Sequence, residues 1–394
     1  MTAKTVAVVG AGMGGLTAAL ALTKKGFDVR VYEQASELRE VGAGLQLGPN
    51  AMRVYAALGL DAVISRFSFV PDAHAVRSWK TGAVISSTRM KGIYEKRYGI
   101  GYHAMLRADL QNALAAALPS GALHLGKKCA GVENRAGSAT VRFDDGSSVD
   151  ADVVVGADGI HSVIRESLFG PDKPRFTGMV AYRGTVPIAS LPEGLLAPDI
   201  TVYIGPHASV VYYCIRPGEL VSWVALVEED SWRRESWSEA GDVDALMRRY
   251  EGWCPVVNEI FSRAEHCFKW ALFGRDPLPC WTSGRVAILG DAAHPMLPYL
   301  AQGACMAIED GYVLADELGK LPDEPENGLR QYEAARLPRA SRVQLMSRER
   351  ARINQLPSLP ARIARNIRFI VDKLIDPERH TYKIEWIYGY DVTR

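Results

Sequence analysis

Thr5-Val6-Ala7-Val8-Val9-Gly10-Ala11-Gly12-Met13-Gly14-Gly15 decides the fold. The first five residues are mostly β-type and apolar, the pattern of a short parallel strand buried on both faces. A glycine-rich turn follows. Leu16–Lys25 is then built of good helix formers, with Gly26 placed to end the helix. Val29–Tyr32 reads as a second strand, closed by Glu33. This is one βαβ unit of about 30 residues, and Gly10, Gly12 and Gly15 satisfy G-x-G-x-x-G inside it. Gly10 permits the tight turn, Gly12 lets backbone approach a pyrophosphate, and Gly15 lets helix and strand pack. The helix N-terminus offers unpaired N–H groups to phosphate. Glu33 can accept hydrogen bonds from a ribose diol. The motif specifies an ADP-containing dinucleotide and leaves NAD and FAD equally open.

Val6–Leu22 carries no charge, so a membrane span or a signal-peptide core has to be considered. The six-residue glycine-rich loop in its middle argues against both. The chain reads as soluble and cytoplasmic. It has 394 residues, enough for two or three domains, and 48% are hydrophobic. Lys and Arg total 46 against 45 Asp and Glu, a net charge of +1. That balance argues against a nucleic-acid footprint or a polybasic membrane anchor. The 6 cysteines show no C-x-x-C spacing and read as buried thiols rather than disulfides or zinc ligands. No metal site is expected.

Further glycine clusters punctuate the chain. Arg39 precedes Gly42-Ala43-Gly44-Leu45-Gln46-Leu47-Gly48-Pro49-Asn50, which enters a helix. Arg107 opens another helix. Alternation around Asp144-Asp145-Gly146 predicts a hairpin. A buried strand ends in Gly156-Ala157-Asp158-Gly159-Ile160-His161-Ser162. Between about 175 and 275, Tyr182–Val186, Ile200–Ile204, Ser209–Ile215 and Val221–Val227 read as strands of a sheet-rich insertion. Trp223, Trp232, Trp237, Trp253 and Trp270 fall within it, as pocket wall or core. The α/β pattern resumes at Gly284–Leu289, leaves through Gly290-Asp291-Ala292-Ala293-His294-Pro295, and reaches a helix opened by Gln302-Gly303-Ala304, with Gly319 placed to end it. The strand, Gly-Asp turn and Gly-Ala helix start form a second close-approach site for a polar ligand. The tail beyond 330 is mainly helical, and Arg362–Arg368 carries positive charge on one face, which reads as solvated in preference to lying on a membrane surface.

Three ordered segments carry a resemblance: GAGMGG with Glu33, GADGIHSVIR at 156–165, and GRVAILGDAAHPMLPYLAQGACMAIED at 284–310. Together with VGAGLQLGPN and the Trp386–Asp391 ending, they resemble the single-component FAD-dependent aromatic hydroxylases. This is the p-hydroxybenzoate hydroxylase-like group, and the sequence is most similar to its salicylate, 3-hydroxybenzoate and 6-hydroxynicotinate members. The resemblance implies an α/β fold. A Rossmann-type (GR2-type) FAD-binding domain would comprise residues 1–175 and 276–345. A substrate-binding sheet domain would be inserted at 176–275, with a C-terminal helical segment at 346–394. It implies that Gly10, Gly12, Gly14, Gly15, Glu33, Gln34, Arg39, Gly44, Arg107, Asp158, Gly159 and Asp291 hold FAD. Pro295, Gln302, Gly303 and Ala304 would border its ring.

NADH or NADPH and O₂ would be co-substrates of ring hydroxylation through a flavin C4a-hydroperoxide, with CO₂ lost if the attacked carbon bears a carboxylate. The nicotinamide cofactor would visit without its own Rossmann domain: only one clear G-x-G-x-x-G unit is present, and no redox C-x-x-C, which argues against a disulfide reductase. The expected substrate is a small hydroxylated aromatic or N-heteroaromatic acid. The alternatives are a hydroxylase of a larger quinolone or polyketide-like scaffold and a flavin-binding protein without catalysis. The expected assembly is a monomer or homodimer. Gln46, Tyr212, Pro298 and Tyr299 are the candidate substrate contacts, with Tyr212 and Tyr299 the candidate catalytic residues. Related enzymes often carry His at the places of Gln46 and Tyr299. Tyr212 and Tyr213 are neighbours on one strand and must face opposite ways. The resemblance favours Tyr212. Arg183 fits either a substrate carboxylate or a structural ion pair, and His294 fits a structural turn.

Overall fold

The computed structural model describes residues 4–38, 44–229 and 239–394. Arg39, Trp232 and Trp237 lie outside them. The opening βαβ unit forms as its sequence dictates: strand Thr5–Val9, helix Met13–Lys24, strand Asp28–Tyr32. These strands sit inside a six-stranded sheet. Its order is Thr282–Ser283, Val286–Ile288, Val153–Gly156, Thr5–Val9, Asp28–Tyr32, Leu123–His124. All neighbours are parallel except the first pair. Val6, Val8, Val153, Val154 and Val155 are almost completely buried, as continuous apolar strands covered on both faces must be.

The second sheet has eight strands. Its order is Glu239–Gly241, Cys267–Gly274, Arg175–Pro187, Leu220–Glu228, Ala208–Ile215, Ile200–Ile204, Ala73–Ser78, Val84–Arg89. The last two come from the first part of the chain, so the sheet expected of 176–275 is completed by 73–89. Their pairing is long-range, Ile200–Ile204 lying parallel to Ala73–Ser78, and no local pattern announces it. The expected hairpin forms from Ser138–Phe143 and Ser148–Ala151.

Alternation divides this second sheet into two faces. Tyr182, Tyr203, Val210, Tyr212, Trp223 and Ala225 point one way, into a core with Leu246, Tyr250, Trp253, Val257 and Phe261 from the helices Val243–Arg249 and Pro255–Ser262 and the turn that joins them. Arg183, Val211, Tyr213, Ser222, Val224 and Leu226 point the other way, toward the six-stranded sheet and its loops.

The Gly303–Lys320 helix packs on Met13–Lys24 and on the 30-residue helix Pro325–Asn354, a single rod that crosses the expected boundary at 345. Gly319 does not end its helix. It lies one residue inside, where an added Cβ would sit 3.0 Å from the Lys25 stem. Beneath this helix lies a closed ionic network. Arg336 bridges Glu309 (2.6 Å) and Asp310 (2.8 Å), and Arg339 holds Glu309 through two bonds of 2.8 and 2.9 Å. Asn50 donates to Glu309 at 2.7 Å, and His294 Nε2 meets Asp310 at 2.5 Å. Burial raises the Asp310 carboxyl, but His294 and Arg336 more than offset it and hold it below the usual range. His294 is thus the structural turn residue its sequence context indicates. No helix among the described residues is long and apolar enough to cross a membrane.

Candidate active site

Three strands of the six-stranded sheet end side by side, in Gly10, Ala157 and Gly290. Ligands of open α/β sheets bind beyond such carboxyl ends. There, between the two sheets, lies a cavity of about 340 Å³, within the range of cofactor and ligand sites.

Its floor is backbone. Gly10 turns with φ +107°, and its N–H donates to Tyr32 O at 2.8 Å. Gly12, Met13, Gly14 and Gly15 then start a helix that has no side-chain cap and no acid in its first turn. Gly303 and Ala304 start a second helix with the same two features. Two uncapped helix N-termini, each carrying partial positive charge, therefore open on one cavity. A Cβ placed on Gly12 would meet no protein atom within 4 Å. Arg107 and Asp291 face the same space. Asp291 is open to the cavity but ringed by protein; that burial raises its carboxyl pKa, while His294 and Arg107 pull it down in part. The long-range antiparallel pair Gly44–Leu47 and His103–Leu106 places Gly44, Leu45 and Gln46 on the rim. Open backbone, two helix dipoles, one cation and one carboxylate fit a dinucleotide carrying a polar ring system.

The opposite wall is the inserted sheet. Arg183, Val224 and Val211 align across three strands, with Tyr213 and Ser222 paired in the next row. The Arg183 guanidinium lies over the Trp270 ring, 4.5 Å from its centroid. Leu226, Met296, Leu297 and Pro298 complete an apolar lining. Burial raises the Tyr213 hydroxyl pKa, partly offset by Ser222, Gln46 and Arg183, so the phenol is neutral at physiological pH.

The sequence-stated residues divide accordingly. Gly12, Gly14, Gly15, Gly44, Gln46, Arg107, Gly159, Asp291, Pro298, Gly303 and Ala304 line the cavity. Others support it from outside. Both Glu33 oxygens accept backbone N–H groups, from Ala11 (2.8 Å) and Ala35 (2.9 Å). Asp158 accepts from Ser162 Oγ and Ile164 N, fixing the turn behind Gly159. Pro295 borders a smaller void beside Asp291. Gln302 is fully buried and accepts from Asn50 at 3.0 Å. Gln34 is exposed.

Two expectations need correction. Tyr212 belongs to the core on the far face of the sheet, its ring 6.2 Å from that of Tyr203. The cavity receives Tyr213 instead. Tyr299 also does not reach the main cavity; it packs with Leu297, Trp270 and Leu226 and borders a smaller void with Gln46 and Pro298. Trp270, expected as pocket wall or core, is pocket wall, whereas Ser222 was not singled out, although the alternation Ser222-Val224-Leu226 marks one face of its strand.

Residues 3–347 match the family model described as an FAD binding domain. Over 386 residues the chain is 39% identical to a 3-amino-4-hydroxybenzoate 2-monooxygenase of Streptomyces platensis, covering 98% of this chain and 96% of that one. It is 37% identical to a 6-hydroxynicotinate 3-monooxygenase of Pseudomonas fluorescens over 90% of this chain and 93% of the other. Klebsiella pneumoniae HpxO, solved with FAD and uric acid, superposes with a TM-score of 0.86 at 28% identity, covering 97% of this chain and 96% of HpxO. The chain belongs to this FAD-binding family, and within it to the FAD-dependent aromatic-ring monooxygenases.

Proposed function

We propose that the chain hydroxylates a small aromatic or N-heteroaromatic acid bearing a ring hydroxyl, with Arg183 holding the carboxylate and Tyr213 the hydroxyl. The observation that carries this reading is the single wall on which Arg183, Tyr213 and Ser222 face the glycine-lined floor. It is supported by the relatives named for amino-hydroxybenzoate and hydroxynicotinate.

Gly12, Gly14, Gly15 and Arg107 would hold the pyrophosphate end of FAD, and Asp291, Gly303 and Ala304 the rest. When bound, FAD supplies electron transfer from NAD(P)H and the activation of O₂. The protein's own residues do the remainder. Trp270 stacks behind Arg183 and limits its rotamers, so little freedom is lost when a carboxylate binds. Tyr213, held neutral, donates to the ring oxygen and stabilises the negative charge that activates the ring toward an electrophile. Val211, Val224, Leu226 and Leu297 exclude water and strengthen both contacts.

Aromatic acids should stimulate NAD(P)H oxidation by the yellow holoprotein and yield a product with one added oxygen. Absence of stimulation across hydroxybenzoates and hydroxynicotinates would overturn the reading. Arg183→Gln should raise KM for the acid roughly 10- to 100-fold, the value of a charge-assisted hydrogen bond, and leave the corresponding carboxylate-free phenol unaffected. Tyr213→Phe should lower kcat by a similar factor, about 10-fold or more. Tyr212→Phe should leave kcat unchanged, and equal effects of the two tyrosines would disprove the assignment.

A further inference from the structure

One residue of the glycine-rich loop is clamped on both sides by side chains. Ala11 is completely buried between Gly10 and Gly12. Its N–H donates to Glu33 at 2.8 Å. Its carbonyl accepts from Gln111 Nε2, also at 2.8 Å, and among the described residues no other hydrogen bond reaches that oxygen. Gln111 lies on the Arg107–Ala116 helix, one turn after Arg107, so the two side chains share a face. Arg107 lines the cavity and Gln111 does not.

A clamp at this point has something to restrain. The peptide group joining Ala11 to Gly12 is planar and trans, so its C=O and N–H point in opposite directions. The carbonyl points to Gln111, and the Gly12 N–H therefore points away from it, on the side where Gly12 lines the cavity. Turning this peptide over would exchange the two groups. The turn is taken up by ψ of Ala11 and φ of Gly12, and Gly12, now at φ −74°, has no Cβ to oppose the positive φ that results. The glycine that lets backbone approach a phosphate thus also lets the peptide offer it the wrong atom. An N–H attracts a pyrophosphate, and a carbonyl oxygen repels it.

We propose that Gln111 is a positioning residue for the cofactor: its hydrogen bond to Ala11 O fixes the Ala11–Gly12 peptide so that the N–H, not the carbonyl, faces the pyrophosphate. This rests on placing the pyrophosphate of FAD at the helix start formed by Gly12 to Gly15. Glu33 does the same for the preceding peptide, whose N–H it accepts. The two clamps come from separate elements, the end of the Asp28–Tyr32 strand and the Arg107–Ala116 helix, which packs on the Met13–Lys24 helix that the loop opens. The Arg107–Ala116 helix therefore acts on the cofactor twice, once with a cation and once through backbone. Without Gln111 the buried carbonyl loses its donor, which is costly where it stands. Turned into the cavity it meets water, so the cost passes from the fold to the cofactor.

Gln111→Met keeps the side-chain length and removes the donor. The full chain stripped of flavin should melt at the unmodified temperature, yet bind FAD about 10- to 100-fold more weakly in a fluorescence titration, the value of a hydrogen bond to a charged group. ADP, which carries the pyrophosphate without the flavin, should lose affinity by the same factor. Gln111→Glu is the second variant should the first fail to fold. Its carboxylate cannot donate, but the protonated acid can. Its FAD affinity, taken as a ratio to that of the unmodified protein, should rise as the pH falls from about 8 to 5. Glu33 across Ala11, and Arg107 and Asp109 on the same helix, are present in both proteins, so the ratio removes their titration. A Gln111→Met protein that melts lower but keeps its FAD and ADP affinities makes Gln111 purely structural and overturns the proposal, as does a ratio that stays flat with pH. Gly12→Ala is the reference. If it loses FAD and Gln111→Met does not, the clamp alone fails. If neither loses FAD, the pyrophosphate is not at this helix start and both readings fail.

Discussion

Gly12→Ala gives a protein that folds with an unchanged melting temperature and binds FAD at least about a hundredfold more weakly, a loss near 2.7 kcal/mol. The expectation comes from what surrounds each glycine of the loop. A methyl group on Gly12 meets no protein atom within 4 Å, so the fold does not register it. It projects at the head of an uncapped helix, into the space a pyrophosphate would occupy to reach the N–H groups of Met13, Gly14 and Gly15. Gly15→Ala is the contrasting case. Its Cβ would fall 2.0 Å from Gly10 O, so strand and helix must separate, and stability is lost along with flavin. Flavin fluorescence titration and thermal melting on the two variants separate these effects. Equal flavin affinity of Gly12→Ala and the unmodified protein would remove the phosphate from this helix end.

Arg336→Met lowers the unfolding free energy by about 3–5 kcal/mol, because it removes the buried cation that Glu309 and Asp310 share and leaves Asp310 with no ionic partner but His294. Arg336 is fully buried between Glu309 and Asp310, and Glu309 keeps only Arg339 and Asn50 once it is gone. In a chain of this size the melting temperature should fall by roughly 5 °C. Arg336→Lys should fall in between, since an ammonium group supplies charge but cannot bridge both carboxylates in the plane of a guanidinium. A melting temperature that barely moves in Arg336→Met would show that the carboxylates take up protons at little cost and that the network is not a stabilising element.

The βαβ opening was legible because every level of its sequence agrees. β-type residues, glycines at fixed offsets, a helix and a closing acid all point to one geometry. The strands Thr5–Val9 and Ile200–Ile204 form at the residues their patterns indicate. The choice between Tyr212 and Tyr213 was not legible from the strand. Alternation says that the two face apart, but the side occupied by the cavity is set by Tyr250, Trp253 and Phe261, which arrive from elsewhere in the chain to cover the other face. The joining of 73–89 to the second sheet was hidden for the same reason: parallel pairing with Ile200–Ile204 leaves no local mark. Within Arg362–Arg368 the outer arginines reach solvent as charge normally does, Arg368 exposed and Arg362 in part, but Arg365 does not. Arg365 turns inward to satisfy the carbonyls at the end of the preceding helix, a demand visible only once that end is placed. Gly319 misled by a single position: its helix runs one residue further, to Lys320.

The two-faced inserted sheet bears on how such a protein can diversify. Arg183, Val211, Tyr213, Ser222 and Val224 touch the cavity, while their immediate neighbours Tyr182, Val210, Tyr212, Trp223 and Ala225 hold the core. If that cavity takes the aromatic substrate as proposed, ring preference and foldability are written on alternate letters of the same strands. Lineages can exchange one set while keeping the other, and a library confined to the cavity-facing letters would sample new aromatic substrates on an unaltered scaffold.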